Sequence, residues 1–241
     1  LVEVPPDFSV SYIGFNIDKA PFDDPYFRQA LNHAVDKQLI ADRVFSNLVK
    51  PAGGIIPPGF PGYSPDISGL EFDLELAIEL LGQSAYADPE TRPRIVLTVP
   101  GTGGSPGLTT LIVADMWSQN LGVEIEIQQV EWATYLEDLD RSRHQAWGGL
   151  SWQADYPDPQ SFLDVLFRSD SAINYGGYAN PKVDDYVVSA QTEQDAARRV
   201  GFYNDAEQLI VNDAAWLPLW WGVDSKALIK PWIKDYAFSS L

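Results

Sequence analysis

RIVLTVPGTGGSPGLTTLIVADMWSQNLGVEIEIQQV, Arg94–Val130, decides the fold class. Its opening RIVLTVP, with aliphatic and β-branched residues from Ile95 to Val99, reads as a strand. GTGGSPG then offers nothing for either a strand or a helix to build on, and reads as a turn. From Leu108 to Leu121 the apolar residues Leu111, Ile112, Met116 and Leu121 fall at helical spacing. GVEIEIQQV alternates apolar and polar residues, the pattern of a strand with one wet face. Moving downstream, WATYLEDLDRS reads as a helix, AWGGLSW as a strand, and SFLDVLF, Pro181–Thr192 and Asp195–Asn212 as helices. Trp-rich AAWLPLWWGVDSKALIKPWIKDY closes the chain and is strand-like. Upstream, SVSYIGFNI reads as a strand from Ser9 to Ile17. Asp24 is a good helix cap with Pro25 at the first helical position. One buried face then runs through Phe27, Leu31, Ala34, Val35, Leu39 and Val44. The Gly/Pro-dense stretch of residues 50–69 is a long ordered loop, and a further helix spans Asp73 to Leu81 through Leu76, Ala77 and Leu80. Strands alternating with helices predict an α/β fold, a mixed or parallel sheet with helices packed on it.

The 241 residues are 45% hydrophobic, which allows a sizeable core. Thirty-four acidic against 16 basic residues give a formal charge of -18. Such a surface lacks the basic stripe that nucleic acid requires, and it does not dock on anionic lipid. No apolar run approaches the roughly 20 residues of a membrane helix. With no cysteine, disulfides, thiolate catalysis and Cys-ligated zinc are excluded. Leu1–Val10 has neither a basic nor an apolar targeting region, and its abrupt entry into a strand reads as a processed or excised piece of something longer.

GLSWQADYPDPQSFL, Gly149–Leu163, sets Asp155 and Asp158 among Trp152, Tyr156, Pro157, Pro159 and Phe162. Carboxylates normally seek water, so this neighbourhood raises three readings. The acids cap a structural turn, or wait for a cation, or act as a catalytic pair. A glycosidase acid and nucleophile is one form of the last. Calcium ligation with Asp164 is another possibility, although the loop lacks the oxygen spacing and central glycine of a calcium loop. PGTGGSPG has no Lys followed by Ser or Thr and is not a phosphate loop, but the helix start after it offers N–H groups to an anion. His33 and His144 lie in no ligand-spaced cluster and read as packing or surface residues. Trp220 and Trp221 are adjacent on one strand and must point to opposite faces, so one packs in the core while the other can face a cleft.

The residues also carry a family likeness. YIGFNIDKAPFDDPYFRQALNHAVDKQLI, PAGGIIPPGFPGY, LGVEIEIQQVEWATYLEDL, GLSWQADYPDPQSFL, NYGGYANPKVDD and LPLWWG followed by LIKPWI occur in order along nearly the whole chain. In these segments it resembles the second lobe of the family 5 extracellular solute-binding proteins, the binding components of ABC importers for oligopeptides, dipeptides and nickel. The resemblance implies a periplasmic-binding-protein type II lobe spanning residues 1–241, with the first lobe and the final return segment absent. It implies export to the periplasm or cell surface, with or without a lipid anchor. It also implies a monomer that closes on a small-molecule or peptide ligand and meets an ABC permease, with no catalysis and no cofactor. In peptide-binding members the acid of W-x-x-D-Y receives the ligand's α-ammonium, which points to Asp155 behind Trp152 and Gln153 and before Tyr156. The aromatic wall of the relatives points to Trp220 and Trp221. Sugar-binding members, in which tryptophans stack on rings, are the alternative within the family. A glycoside hydrolase using Asp155 and Asp158 is the alternative outside it.

Overall fold

In the computed structural model of the chain the described residues are 2–4, 7–222, 225–227, 230 and 232–233. Among these residues eight strands and eight α-helices follow one another as β1 (Val2–Val4), β2 (Ser9–Phe15), α1 (Pro25–His33), α2 (Lys37–Arg43), β3 (Lys50–Pro51), α3 (Leu74–Gln83), β4 (Ile95–Pro100), α4 (Leu108–Leu121), β5 (Ile125–Val130), α5 (Trp132–Asp140), β6 (Ala146–Gln153), α6 (Leu163–Phe167), α7 (Pro181–Thr192), α8 (Ala196–Asn212), β7 (Trp216–Trp221) and β8 (Ser225–Ala227). A six-stranded sheet has the order β3-β7-β2-β6-β4-β5, and β1 pairs with β8 in a separate ladder. β4 is parallel to both β5 and β6, whereas β2 is antiparallel to β6 and β7. The sheet is therefore mixed.

Both faces are covered. On one, Phe27 and Leu31 of α1, Ala77 of α3 and Val113 and Trp117 of α4 bury against Ile13, Phe15, Leu97 and Leu219. The other packs Tyr135 of α5, Leu163 and Phe167 of α6, Val183 and Val187 of α7, and Tyr203 and Ile210 of α8 against Val10, Tyr12, Trp147, Trp216 and Trp221. Hydrogen bonds tie the first layer together. The Trp117 indole N–H donates to the Leu31 carbonyl at 2.9 Å, and Asn120 donates to that of Ala34 at 2.8 Å.

α4 and α7 have the bounds that their sequences predict. α4 ends at Gly122, whose φ of 62° suits a left-handed helix stop. α7 starts from Asn180, which accepts from the Lys182 N–H, with Pro181 at the first position. Other segments differ from expectation. The single helix expected after Asp24 is two helices, because Asp36 turns its carboxylate onto the Leu39 N–H at 2.8 Å and caps a new start. That break rotates Leu39 out of the apolar face, leaving it 44% exposed. Leu111, expected inside, is also exposed. The first strand stops at Phe15, β6 runs on to Gln153, and SFLDVLF begins as a 3-10 turn (Pro159–Ser161) before α6. The Trp-rich close gives β7 and β8, and the rest of that strand-like expectation falls largely outside the described residues.

Candidate functional site

Because β4, β5 and β6 point the same way, the chain leaves all three at one edge of the sheet. Ligands of α/β sheets settle at such carboxyl edges. The glycine turn into α4, the start of α5 and the acid loop after β6 all lie there.

The acid loop is braced on both sides of Asp155. The Trp152 indole N–H donates to the Ser161 carbonyl at 2.8 Å, and the Asp155 N–H donates to the Ser161 hydroxyl at 3.1 Å. Ser161 itself is fully buried. Asp158 accepts from the Gln160 N–H at 3.0 Å and takes both arms of the Arg199 guanidinium at 2.8 Å each. Partial burial pushes the Asp158 carboxyl up, but Arg199 and the Gln160 N–H outweigh it and hold the group below the usual range. Asp164 is buried and accepts from Gln160 and Gln191, with Arg168 at 3.1 Å. Asp155 differs from both. It is exposed, and its carboxylate has no hydrogen bond or ion pair among the described residues. Arg199 and Arg168 offset Asp158 and Asp164, which leaves Asp155 as the unbalanced charge of this loop. The half-exposed Tyr156 phenol is pushed up first by partial burial and then by these three carboxylates.

This arrangement suits a cation and does not suit glycoside chemistry. Asp158 is committed to Arg199, so it offers neither a proton nor a free nucleophile. Calcium is poorly served too, since Asp158 and Asp164 both already face guanidinium groups, and no metal-holding group of His, Cys, Asp and Glu occurs among the described residues. The histidines are spent on backbone carbonyls. His33 Nδ1 meets the Glu71 oxygen at 2.6 Å and His144 Nε2 that of Tyr135 at 3.0 Å.

The aromatic candidates divide between the faces. Val10 lies opposite Trp152 on one side and Trp221 on the other, and these three form a row on the α5–α8 face. Trp221 is 6% exposed and meets the Tyr63 ring edge-on at 5.9 Å. Ser11, the next residue, lies opposite Ser151 and Trp220. Trp220 is half-buried, leans on Phe45 with centroids 4.8 Å apart, and lines a groove of about 290 Å³. Strands β2, β6 and β7 floor this groove with Ser11, Gly149, Ser151 and Trp220, and Gly107, Thr109 and Thr110 at the start of α4 flank it. Gly149 has φ of 78°, and a Cβ there would meet Pro100 at 2.9 Å, so no other residue fits without displacement. Gln153 is exposed at the end of the same strand. Ser151 and Asp155 are four residues apart, at most about 14 Å along an extended chain.

Trp132 is a further candidate that the pattern of the sequence does not single out. It opens α5 after β5, is 50% exposed, and stacks on Tyr135 with planes 12° apart. Tyr135 is anchored by its hydroxyl to the Gly148 carbonyl at 3.0 Å. The available signal was position: the first turn of a helix at a carboxyl edge projects beyond the core.

Comparison with known proteins identifies the family and the fold. The pattern of "Bacterial extracellular solute-binding proteins, family 5 Middle" matches residues 2–174. The chain belongs to this family. Among relatives, the periplasmic murein peptide-binding protein MppA of Escherichia coli (strain K12) is 30% identical over 99% of this chain and 44% of its own length. Heme-binding protein A of Haemophilus influenzae is 32% identical over 96% of this chain and 42% of its own. The solved structure of the E. coli murein tripeptide binding protein MppA superposes with a TM-score of 0.85 at 29% identity, over 97% of this chain and 46% of that one. Its periplasmic-binding-protein type II fold is the fold of this chain. The family 5 chain described here thus spans less than half the length of the relatives it matches.

Proposed function

We propose that this chain is the second lobe of a two-lobed extracytoplasmic binding protein that delivers peptides to an ABC permease. The first lobe and a return segment would complete the cleft, in the periplasm or at the cell surface, and the lobe would bind without catalysing a reaction. Asp155 receives the peptide's α-ammonium. One observation carries this reading: on a loop where Asp158, Ser161 and Trp152 are all engaged, the Asp155 carboxylate alone is exposed and unpaired among the described residues. A loop whose backbone is braced before the ligand arrives loses little freedom on binding. Closure of the cleft then removes water and strengthens the charge-assisted bond. Heme among the ligands of relatives shows that family membership does not fix the ligand; an unpaired acid favours an amine over a polyanion such as heme.

Calorimetry on the complete protein tests the anchor. Asp155→Asn leaves a buried ammonium unpaired, which costs roughly 3–5 kcal/mol, or about two to four powers of ten in affinity. N-acetylated peptides, lacking the cation, should bind the wild type as weakly. Unchanged affinity in a folded Asp155→Asn variant would falsify the anchor and favour sugar binding, with the tryptophans carrying the ligand.

A further inference from the structure

We infer that Glu207 is a proton-operated latch on the Gly/Pro stretch between Ala52 and Gly69: it holds this strap down while protonated and releases it once ionised. The latch does not depend on the ligand, so it stands or fails apart from the peptide reading above.

The strap is held unevenly. At its base the Ala52 N–H donates to the Leu219 carbonyl at 3.0 Å, and the Ala52 carbonyl accepts from the Lys37 ammonium at 2.6 Å. At its return the Gln208 side chain accepts from the Ser68 N–H at 2.8 Å and donates to the Ser68 carbonyl at 3.0 Å. Gly69 there lies so close to Gly53 that a Cβ would meet the Gly53 carbonyl at 2.7 Å. Between these ends, from Gly53 to Ile67, the hydrogen bonds that leave the strap for other described residues both go to one atom. Glu207 Oε1 accepts from the Ile55 N–H at 2.7 Å and from the Ile56 N–H at 2.9 Å. Gly54 makes room for that oxygen, since a Cβ there would sit 2.5 Å from it.

Glu207 is 1% exposed, and its other oxygen is buried with no partner among the described residues. A protonated carboxyl is neutral and keeps its carbonyl oxygen on both N–H groups. Loss of the proton leaves a buried charge with two donors on one oxygen and none on the other, where water would supply several. Lifting the strap admits that water. Burial accordingly pushes the carboxyl up to about 7, against the pull of the two N–H donors. The strap itself carries Tyr63 and Asp66, its base Lys37 and Lys50, the same helix Arg199 and Tyr203, and the acid loop Asp158; none of these is among the causes of the shift. Burial lowers Lys37 to about 8, so the base stays pinned by an ammonium below that pH. Ile55, Ile56 and Phe60 are buried in the core and resist opening; the proton sets how often they yield. Phe60 meets Phe162, and Gly62 lies against Pro159, so a lifted strap takes apolar backing from the loop that carries Asp155.

Hydrogen exchange on the complete protein, read by mass spectrometry and corrected for the exchange rate of an unfolded chain at each pH, tests the latch. From pH 5.5 to 7.5, protection over the segment with Ile55 and Ile56 should fall about tenfold or more in the wild type, and at both values it should lie below that of β2 and β4. Glu207→Gln keeps the accepting oxygen and cannot ionise, so its protection should stay level. Gly54→Ala pushes the carboxyl away and should be poorly protected at both values. Wild-type protection that does not change with pH overturns the latch, as does an equal fall in Glu207→Gln. Strap protection equal to that of β2 and β4 throughout also overturns it, because the strap would then open only with the whole fold. Should Glu207→Gln not fold, Gly54→Ala decides: protection at pH 5.5 as high as that of the wild type overturns the latch.

Discussion

Two loops meet at one end of this fold, and each is held by a carboxylate and an indole, but by opposite physics. The acid loop, residues 154–161, hangs on the Trp152 N–H and on the ion pair of Asp158 with Arg199. The Gly/Pro loop, residues 52–63, rests Tyr63 against Trp221 and is clamped by Glu207, whose Oε1 accepts from the Ile55 and Ile56 N–H groups at 2.7 and 2.9 Å. Arg199 and Glu207 both belong to α8, so one helix holds both loops. The loops also touch: Phe60 meets Phe162 edge-on at 5.2 Å, and a Cβ on Gly62 would strike Pro159 at 2.3 Å. Asp158 is a half-wet, paired anion. Glu207 is 1% exposed, its Oε2 has no partner among the described residues, and burial outweighs its two N–H donors to push it up to about 7. One loop is therefore held by a charge and the other by a group that prefers to be neutral.

The largest effect should come from removing the platform of the Gly/Pro loop. Trp221→Ala empties a core position and should lower stability by about 3–5 kcal/mol, read from chemical denaturation. Trp220→Ala, at a half-buried position, should cost clearly less; equal losses would break the assignment of these two rings to different environments.

Glu207 comes next, through pH. Below about 4.5 folded and unfolded chains both carry its proton. Between that value and about 7 only the folded chain does, so unfolding releases a proton and stability falls as pH rises. The full loss, on the order of 3 kcal/mol, is complete above neutrality. Denaturation from pH 5 to 8 should show this slope in the wild type and not in Glu207→Gln. A slope shared by both proteins would assign it to other groups.

Asp158 has the reverse sign. Its folded value lies below the unfolded one, so its contribution is present above the unfolded value near 3.8 and is lost as acid takes pH down through the lowered folded value. Asp158→Ala removes a turn cap and a bidentate pair, about 1–2 kcal/mol at neutral pH, with no loss of peptide affinity comparable to that of Asp155→Asn. The smallest effect is that of salt. Raising ionic strength should weaken the half-exposed Asp158–Arg199 pair by a few tenths of a kcal/mol and leave the Glu207 slope intact, as pH-dependent melts at two salt concentrations would show.

The order of strands and helices is legible in the sequence because period and punctuation agree, as at Gly122 and at Asn180-Pro181. The α1–α2 break is not, since the apolar period continues across Asp36 and only a local side-chain bond interrupts it. Likewise, period 2 separates Trp220 from Trp221 but does not say which ring faces the groove. The unequal fates of Asp155 and Asp158 were hidden for a different reason. They differ through Arg199, which lies 41 positions beyond Asp158 and reaches it only when α8 packs against the loop. Glu207 has the same cause: a lone acid on the apolar side of α8, between Ala206 and Ile210, marks a buried carboxyl only once the Gly/Pro loop is seen above it.

Gly149 has a consequence for anyone who would reshape this groove. Its positive φ and the ring of Pro100 close the position to every other side chain, whereas Ser11, Ser151 and Thr109 line the same groove with ordinary strand or helix backbone. A randomised library over all four positions should therefore yield folded clones varied at three of them and nearly invariant at the fourth. Gly149 is the part of the groove's shape that directed evolution inherits, and the positions around it are the part it can rewrite.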